Sequence, residues 1–300
     1  MGILKCHIEI LLDFKKKNPK AFIGETLTLG QQAVYTNKFN YLNLIQKYNL
    51  SKIKLPKNFD ESCKIPSWKG TKYEKNINAN YFFYLLGSKK TFSLDFSNYE
   101  NSEYIYDLNK NLPNILKNKF NTVIDIGTSE HVFNFNQVLK NITNALKKNG
   151  YYILSLPSSN AIDHGFYSFS PSLFYDYFSI NNYDIEESYI IERSPFFYES
   201  SYKIYKYKPG PEMPFVSSKF IESFFILKKN KNSLSQNIPF QNVYLNNMWK
   251  DDINETNNKL EKNISFFKSI LKKILLNKYT PHILHVFIFK IIRGKNITSK

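Results

Sequence analysis

The sequence predicts an α/β fold built on a doubly wound, mostly parallel sheet. Residues 122–126 (TVIDI) form a short β-branched run that suits a buried strand. A polar loop follows, and then Val138, Ile142 and Leu146 recur at helical spacing. Residues 151–156 (YYILSL) form a second apolar run. Strand, helix and strand joined by tight loops make the βαβ unit of an open parallel sheet.

The boundaries of this unit can also be predicted. Asn134 or Asn136 can cap the start of the helix with its side-chain oxygen. Residues 147–150 (KKNG) combine lysines with a glycine, a pattern typical of a helix end. Pro157 should end the second strand. The polar segments after the two strands should then face one crevice, since ligands bind beyond the carboxyl ends of parallel strands.

The rest of the chain continues the pattern on both sides of this unit. We predict an antiparallel closure of the sheet by two late strands, with residues 194–214 as a loop between them. The predicted helices cover residues 3–19, 41–48, 81–87 and 171–178, and the further strands cover residues 26–29, 91–94, 104–106, 183–191 and 219–227.

Two parts of the chain differ in composition from the predicted sheet domain. Residues 1–229 should form that domain, with residues 38–80 as an irregular insertion that covers the pocket as a lid or substrate wall. Residues 230–300 should form a polar linker and a basic, amphipathic helical tail. That tail could dock on the domain, form a dimer contact or lie on a membrane surface.

Bulk properties exclude some classes of protein. The 300 residues contain two cysteines at no metal-binding or disulfide spacing, which favours a reducing, cytoplasmic setting. The formal net charge is +16, but the lysines are scattered and no nucleic-acid-binding motif accompanies them. We therefore predict no nucleic-acid partner. The sequence contains no apolar run of membrane-spanning length, and the oligomeric state stays open.

Three segments resemble the class I S-adenosylmethionine-dependent methyltransferase family: FNTVIDIGTSEHVFNF, KKNGYYILSLPSSN and HGFYSFSP. The resemblance covers roughly residues 20 to 225. It implies a Rossmann-like fold, S-adenosylmethionine as cofactor, and methyl transfer to an oxygen or nitrogen of a small molecule or glycan. Surface polysaccharide biosynthesis is one setting in which such an enzyme would act.

The resemblance also implies where the cofactor binds. Gly30 would let the backbone approach the methionine part, although the family's Gly-x-Gly-x-Gly pattern is missing here. Asp95, with Phe96 beside it, would accept hydrogen bonds from both ribose hydroxyls. Asp107 would lie against the adenine amino group, with the backbone of Leu108 at the ring.

The loop after residues 122–126 holds the other implied site residues. The backbone of Ile126 and Gly127 would line the cofactor, and Glu130 with His131 matches the family's Glu-His pair. His131 could act as a general base or only hold the loop, and His164 is an equal candidate for the base. Neither histidine has a spacing that indicates a metal site.

Two other functions remain open at the level of sequence. A methyltransferase-like module that has lost its cofactor would explain the incomplete glycine motif and the basic tail. Nucleic-acid methylation would rest on net charge alone, because the Asn/Asp-Pro-Pro-Tyr type of motif is absent. Asp95, Asp107 and the Glu130-His131 pair favour the enzyme over the non-catalytic module.

Overall fold

The computed structural model describes residues 2–50, 53–63, 65–194, 201–210 and 215–241. The predicted basic tail lies outside the described residues, apart from the start of its linker. No helix in the described ranges is both long and apolar enough to cross a membrane.

The chain folds around one eight-stranded sheet and a separate two-stranded parallel ladder of β1 and β3. The strands are β1 Gly2–Ile3, β2 Gly24–Leu29, β3 Ala33–Val34, β4 Ser88–Asp95, β5 Tyr104–Ile105, β6 Phe120–Ile126, β7 Leu146–Ser159, β8 Tyr183–Arg193, β9 Tyr202–Lys206 and β10 Phe220–Lys229. The order in the large sheet is β5-β4-β2-β6-β7-β10-β8-β9. Pairing is parallel from β5 to β7, whereas β10 runs antiparallel to both β7 and β8.

Helices cover both faces of this sheet. They are α1 Lys5–Lys17, α2 Lys38–Lys47, α3 Ala79–Leu85, α4 Phe135–Ala145 and α5 Pro171–Ile180, with short 3-10 turns at Pro66–Trp68, Lys72–Lys75, Asn114–Leu116 and Ser129–His131. Apolar side chains of α1, α2 and α3 share one core cluster, and those of α4 and α5 share the other. The predicted doubly wound, mostly parallel fold with an antiparallel late strand is therefore confirmed.

The central strands β6 and β10 bury apolar side chains on both of their faces. In β6, Val123 packs with the α4 and α5 layer, while its neighbour Ile124 packs with the α1 layer. In β10, Phe225 packs with the α4 and α5 layer and Phe224 packs with the α1 layer. Successive side chains of a strand point to opposite faces, so each layer receives every second residue.

Two predicted boundaries next to α4 and β7 were wrong. The helix ends at Ala145, and residues 147–150 already belong to β7. The backbone carbonyl of Ala145 accepts a hydrogen bond from the amide of Lys119, and Leu146 pairs with Phe120 of β6. Pairing with β6 thus ends the helix earlier than the local lysine and glycine signal predicted. Pro157 does not end β7, which continues to Ser159.

The predicted loop over residues 194–214 contains a strand, β9, which pairs with β8 at the edge of the sheet. Only one side of β9 is paired in the large sheet. An edge strand is less completely covered than a central one and can carry polar residues. The mixed sequence of β9 (YKIYK) therefore contains no apolar run that would predict a strand.

Candidate active site

Four neighbouring strands, β5, β4, β2 and β6, end at one cleft of about 490 Å³. The sheet order reverses between β2 and β6, so the cleft lies at the switch point of the fold, where open α/β sheets bind ligands. The predicted site residues that line it are Gly30, Asp95, Phe96, Asp107, Leu108, Gly127 and His131. Ile126, Glu130 and His164 lie outside this lining.

The turn after β2 brings backbone into the cleft at Gly30. This residue has a φ of 68°, and its amide donates a hydrogen bond of 2.8 Å to the carbonyl of Leu94. A Cβ added at Gly30 would lie 3.1 Å from Oγ1 of Thr128, and 3.8 Å from Oδ2 of Asp95. The left-handed conformation favours glycine here, and the Thr128 side chain would have to shift slightly to admit a Cβ.

Asp95 is the last residue of β4 and lies half-buried in the cleft wall. Its Oδ1 accepts a hydrogen bond of 3.3 Å from the amide of Ser97. Phe96 next to it is 76% exposed at the cleft. Burial and the nearby Asp95 together raise the pKa of the Glu100 carboxyl. The cleft end of β4 is thus acidic and suited to hydroxyl donors.

The segment after β5 supplies a second carboxylate at Asp107. The side chain and backbone amide of Asn109 both donate to Oδ1 of Asp107 at 2.9 Å, which lowers the pKa of that carboxyl. Leu108 is buried between them, and its carbonyl accepts a hydrogen bond of 3.0 Å from Nδ2 of Asn141 on α4. Sequence analysis did not identify Asn141, since a polar residue inside a helix gives no local signal of such a contact.

The strand β6 leads into the loop that forms the other wall. Gly127 has a φ of 80° and lines the cleft, whereas the side chain of Ile126 is fully buried in the core. Asp125 is fully buried and accepts hydrogen bonds from Ser129 and Tyr152. Burial raises the pKa of the Asp125 carboxyl against those hydrogen bonds. The Asp125 carboxyl thus holds the loop after β6 to the sheet from inside the core.

Glu130, His131 and His164 lie together next to the cleft. Oε1 of the fully buried Glu130 is 3.7 Å from Nε2 of His131 and 3.5 Å from Nε2 of His164. Burial, followed by the charge of Asp125, raises the pKa of Glu130 to about 8. Burial lowers the pKa of both histidines, and each imidazole is therefore neutral at neutral pH.

Aromatic side chains form another part of the cleft lining. Trp68 and Tyr35 both line the cleft, and their ring centroids lie 4.8 Å apart. Tyr73 contacts both rings, at 5.1 Å from Trp68 and 5.5 Å from Tyr35. The sequence assigned no role to Trp68. The structure places it, within the segment predicted as an insertion, directly on the cleft.

No protein-family model matches the sequence, and no curated protein matches it significantly. Among solved structures, the chain is similar to the branched-chain polyamine synthase from Thermus thermophilus in complex with N4-aminopropylspermidine and 5′-methylthioadenosine. The identity is 11% and the TM-score 0.41, over 78% of this chain and 59% of that chain. The chain thus spans less than two thirds of that synthase.

Two further structures are similar to this chain. A candidate methyltransferase from Bacillus halodurans C-125 is 13% identical with a TM-score of 0.37, over 75% of this chain and 100% of that chain. An S-adenosylmethionine-dependent methyltransferase from Clostridium acetobutylicum is 11% identical with a TM-score of 0.30, over 74% of this chain and 90% of that chain. All three TM-scores lie below 0.5, so the function of this chain has to be inferred from its own residues.

Proposed function

We propose that this chain is an S-adenosylmethionine-dependent methyltransferase that acts on an oxygen or nitrogen of a small molecule or glycan. The observation that supports this most is the placement of Asp95 and Asp107 at successive strand ends of one cleft. A carboxylate at the end of β4 can accept hydrogen bonds from both ribose hydroxyls. A cleft of about 490 Å³ is within the range of cofactor sites.

The residues around the cleft fit this cofactor in size and chemistry. The missing Cβ of Gly30 leaves room for a ligand between Thr128 and Asp95. Leu108 offers an apolar surface to an adenine ring, with the Asp107 carboxylate beside it to accept from the amino group. When bound, the cofactor supplies an electrophilic methyl group on a sulfonium.

The chain's own residues would orient the acceptor against that methyl group, because an in-line displacement gains most from positioning. His131 lines the cleft, and its lowered pKa leaves the imidazole free to accept a proton from an acceptor. His164 lies behind it, with ring centroids 5.2 Å apart. We propose His131 and His164 as the pair that serves the acceptor.

Exposed aromatic side chains beside these histidines support an organic acceptor. Phe133 and Phe166 are 73% and 67% exposed, and their ring centroids lie 5.9 Å apart in an edge-to-face arrangement. Exposed aromatic pairs of this kind commonly belong to binding surfaces, where a ring or sugar face can pack on them. An acceptor used in cytoplasmic assembly of a surface polysaccharide would suit this surface.

The test is calorimetric binding of S-adenosylmethionine and S-adenosylhomocysteine to the wild type, Asp95→Ala and Asp184→Ala. Asp184 is exposed on β8, away from the cleft, and serves as the matched control. We expect micromolar affinity for the wild type and the control, and binding at least about 10-fold weaker for Asp95→Ala. Absence of binding to the folded wild type would favour the non-catalytic module instead.

A further inference from the structure

The carboxylate of Glu130 is completely buried, yet neither of its oxygens accepts a hydrogen bond within the part of the chain that the structure describes. Buried carboxyl groups in proteins, charged or neutral, are normally hydrogen-bonded, ion-paired or bound to a metal. Asp125, four residues earlier in the same segment, shows the usual solution with donors from Ser129 and Tyr152. Among the described residues Glu130 has no such donors, and its Oε1 lies near two imidazoles instead.

Those imidazoles come from different segments of the chain. Nε2 of His131 lies 3.7 Å and Nε2 of His164 3.5 Å from Oε1 of Glu130, both too far for a hydrogen bond. Nε2 of His164 is itself buried and has no hydrogen-bond partner among the described residues. One potential ligand atom from each of the three residues lies within 4.8 Å of the other two.

The backbone holds this arrangement in place. The amide of Phe166 donates a hydrogen bond of 2.8 Å to the carbonyl of Glu130, so the loop that carries His164 is attached to the Glu130 turn. A Cβ added at Gly165 would lie 2.9 Å from Cγ of Glu130. The two segments therefore pack in direct contact, and this contact holds the three side chains close together.

We infer that Glu130, His131 and His164 bind one divalent transition-metal ion beside the cleft. Two imidazoles and one carboxylate form a ligand set that zinc and related ions accept at bond lengths of about 2.0–2.2 Å. A tetrahedral centre with such bonds has edges of about 3.4 Å, close to the two distances from Glu130. The metal ion would provide the positive counter-charge for the buried Glu130 carboxylate.

Three protein ligands leave at least one coordination position for another molecule. His131 lines the cleft, and its side chain is 47% exposed, so this position is accessible from the cleft side. An oxygen-donor acceptor would occupy it, a role that rests on the proposed methyl transfer. With the ion bound, His131 and His164 would serve the acceptor through the metal rather than as proton acceptors. The metal site itself does not depend on that function.

The test uses the full chain without a histidine tag, stripped with a chelator and titrated with Co²⁺. Visible absorption and calorimetry should show one ion per chain, displaced by Zn²⁺. Glu130→Gln and His164→Gln should each weaken binding by about 10-fold or more, since even changes outside the ligand shell cost 10–100-fold. Asp163→Asn, which alters an exposed carboxylate next to His164, should bind as the wild type does.

Two outcomes would overturn the site. One is the absence of stoichiometric binding to folded wild type, which would leave Glu130 as a buried neutral acid. The other is unchanged affinity in both Glu130→Gln and His164→Gln, which would place the ion elsewhere in the chain. Asp95→Ala should retain Co²⁺ binding while losing cofactor affinity. The metal site and the proposed methyltransferase function can therefore be tested independently of each other.

Discussion

The hydroxyl of Tyr152 on β7 donates a hydrogen bond of 2.8 Å to Oδ2 of Asp125 on the neighbouring strand β6. The same carboxylate accepts from the amide of Ser129 at 3.2 Å and from its hydroxyl. All of this lies in the fully buried interior. The pair therefore ties the sheet to the turn from which Gly127 and Glu130 reach the site.

Tyr152→Phe should lower the free energy of unfolding by about 1–3 kcal/mol, because an oxygen of the fully buried Asp125 carboxyl loses one of its donors. Tyr183→Phe is the matched control, since its hydroxyl donates to the neutral Oγ1 of Thr143 at 2.8 Å. That change should cost only about 0.5–1.5 kcal/mol. Urea unfolding of both variants measures the difference. Equal losses would show that the Tyr152–Asp125 hydrogen bond is worth no more than a bond between two neutral hydroxyls.

Gly30→Ala should weaken cofactor binding as well as stability. Gly30 and Gly70 have φ values of 68° and 75°, so an alanine at either position costs about 1–2 kcal/mol of backbone strain. A Cβ at Gly70 meets no atom within 4 Å, whereas one at Gly30 crowds Thr128 in the cleft. Gly70→Ala should thus lose stability alone, and Gly30→Ala should lose S-adenosylhomocysteine affinity too, as measured by calorimetry.

If the two glycine variants bound S-adenosylhomocysteine equally, the turn after β2 would not contact the cofactor. Matched losses of stability in urea unfolding would still show that both positions carry the same backbone strain. The comparison therefore separates the conformational role of Gly30 from its place in the cleft.

Acid should destabilise the protein through Glu222. This buried residue of β10 accepts hydrogen bonds from Arg193 at 2.5 Å, Ser155 at 2.8 Å and Nε2 of His7 at 2.9 Å. Burial alone would raise the pKa of Glu222, but Arg193 and His7 hold it at about 2, against an ordinary value of 4.5. The resulting stabilisation, about 3 kcal/mol, is complete above pH 4.5 and is lost as the pH falls towards 2.

Thermal unfolding between pH 7 and pH 2 measures this stabilisation as the difference in stability between the wild type and Glu222→Gln. The variant should be less stable at pH 7, since Arg193 loses the charge of Glu222, and the difference in stability should narrow below pH 4.5. Glu186→Gln on the neighbouring strand β8 should keep the wild-type slope. A gap that stayed constant over the whole range would show that Glu222 is not charged in the folded protein.

The sequence predicted the strands that end at the cleft because their signals are local. Apolar runs followed by Gly30, Asp95, Asp107 and Gly127 mark both the strand and the residue beyond it. In a parallel sheet those ends share one edge, so the strand assignments alone predict a shared crevice. This is why six of the predicted cofactor residues line the observed cleft.

Features that depend on distant contacts were missed. The end of α4 is set by pairing of Leu146 with Phe120, which overrides the local signal of residues 147–150. The approach of His164 to Glu130 joins residues 34 positions apart through two loops, and no spacing rule anticipates it. Periodicity reports what a segment buries, and it does not report which polar groups meet after folding.

Asn141 on α4 positions the loop after β5, and its removal should affect both stability and cofactor binding. Its Nδ2 donates to the carbonyls of Leu108 at 3.0 Å and Lys110 at 2.8 Å, and its Oδ1 accepts from the amide of Leu112 at 3.0 Å. Asn141→Ala removes these three hydrogen bonds and a fourth, from Gln137, in a buried site and should cost roughly 2–4 kcal/mol in the free energy of unfolding.

Because those hydrogen bonds fix the backbone at Leu108, the Asn141→Ala variant should bind S-adenosylhomocysteine about 10-fold more weakly, a loss of about 1.4 kcal/mol. Gln137→Ala is the control, since Gln137 donates one hydrogen bond of 2.8 Å to Oδ1 of Asn141 and touches no loop residue in the described contacts. It should cost under about 1 kcal/mol and leave affinity unchanged. Full affinity in a destabilised Asn141→Ala would mean that the loop after β5 supports the fold without contacting the cofactor.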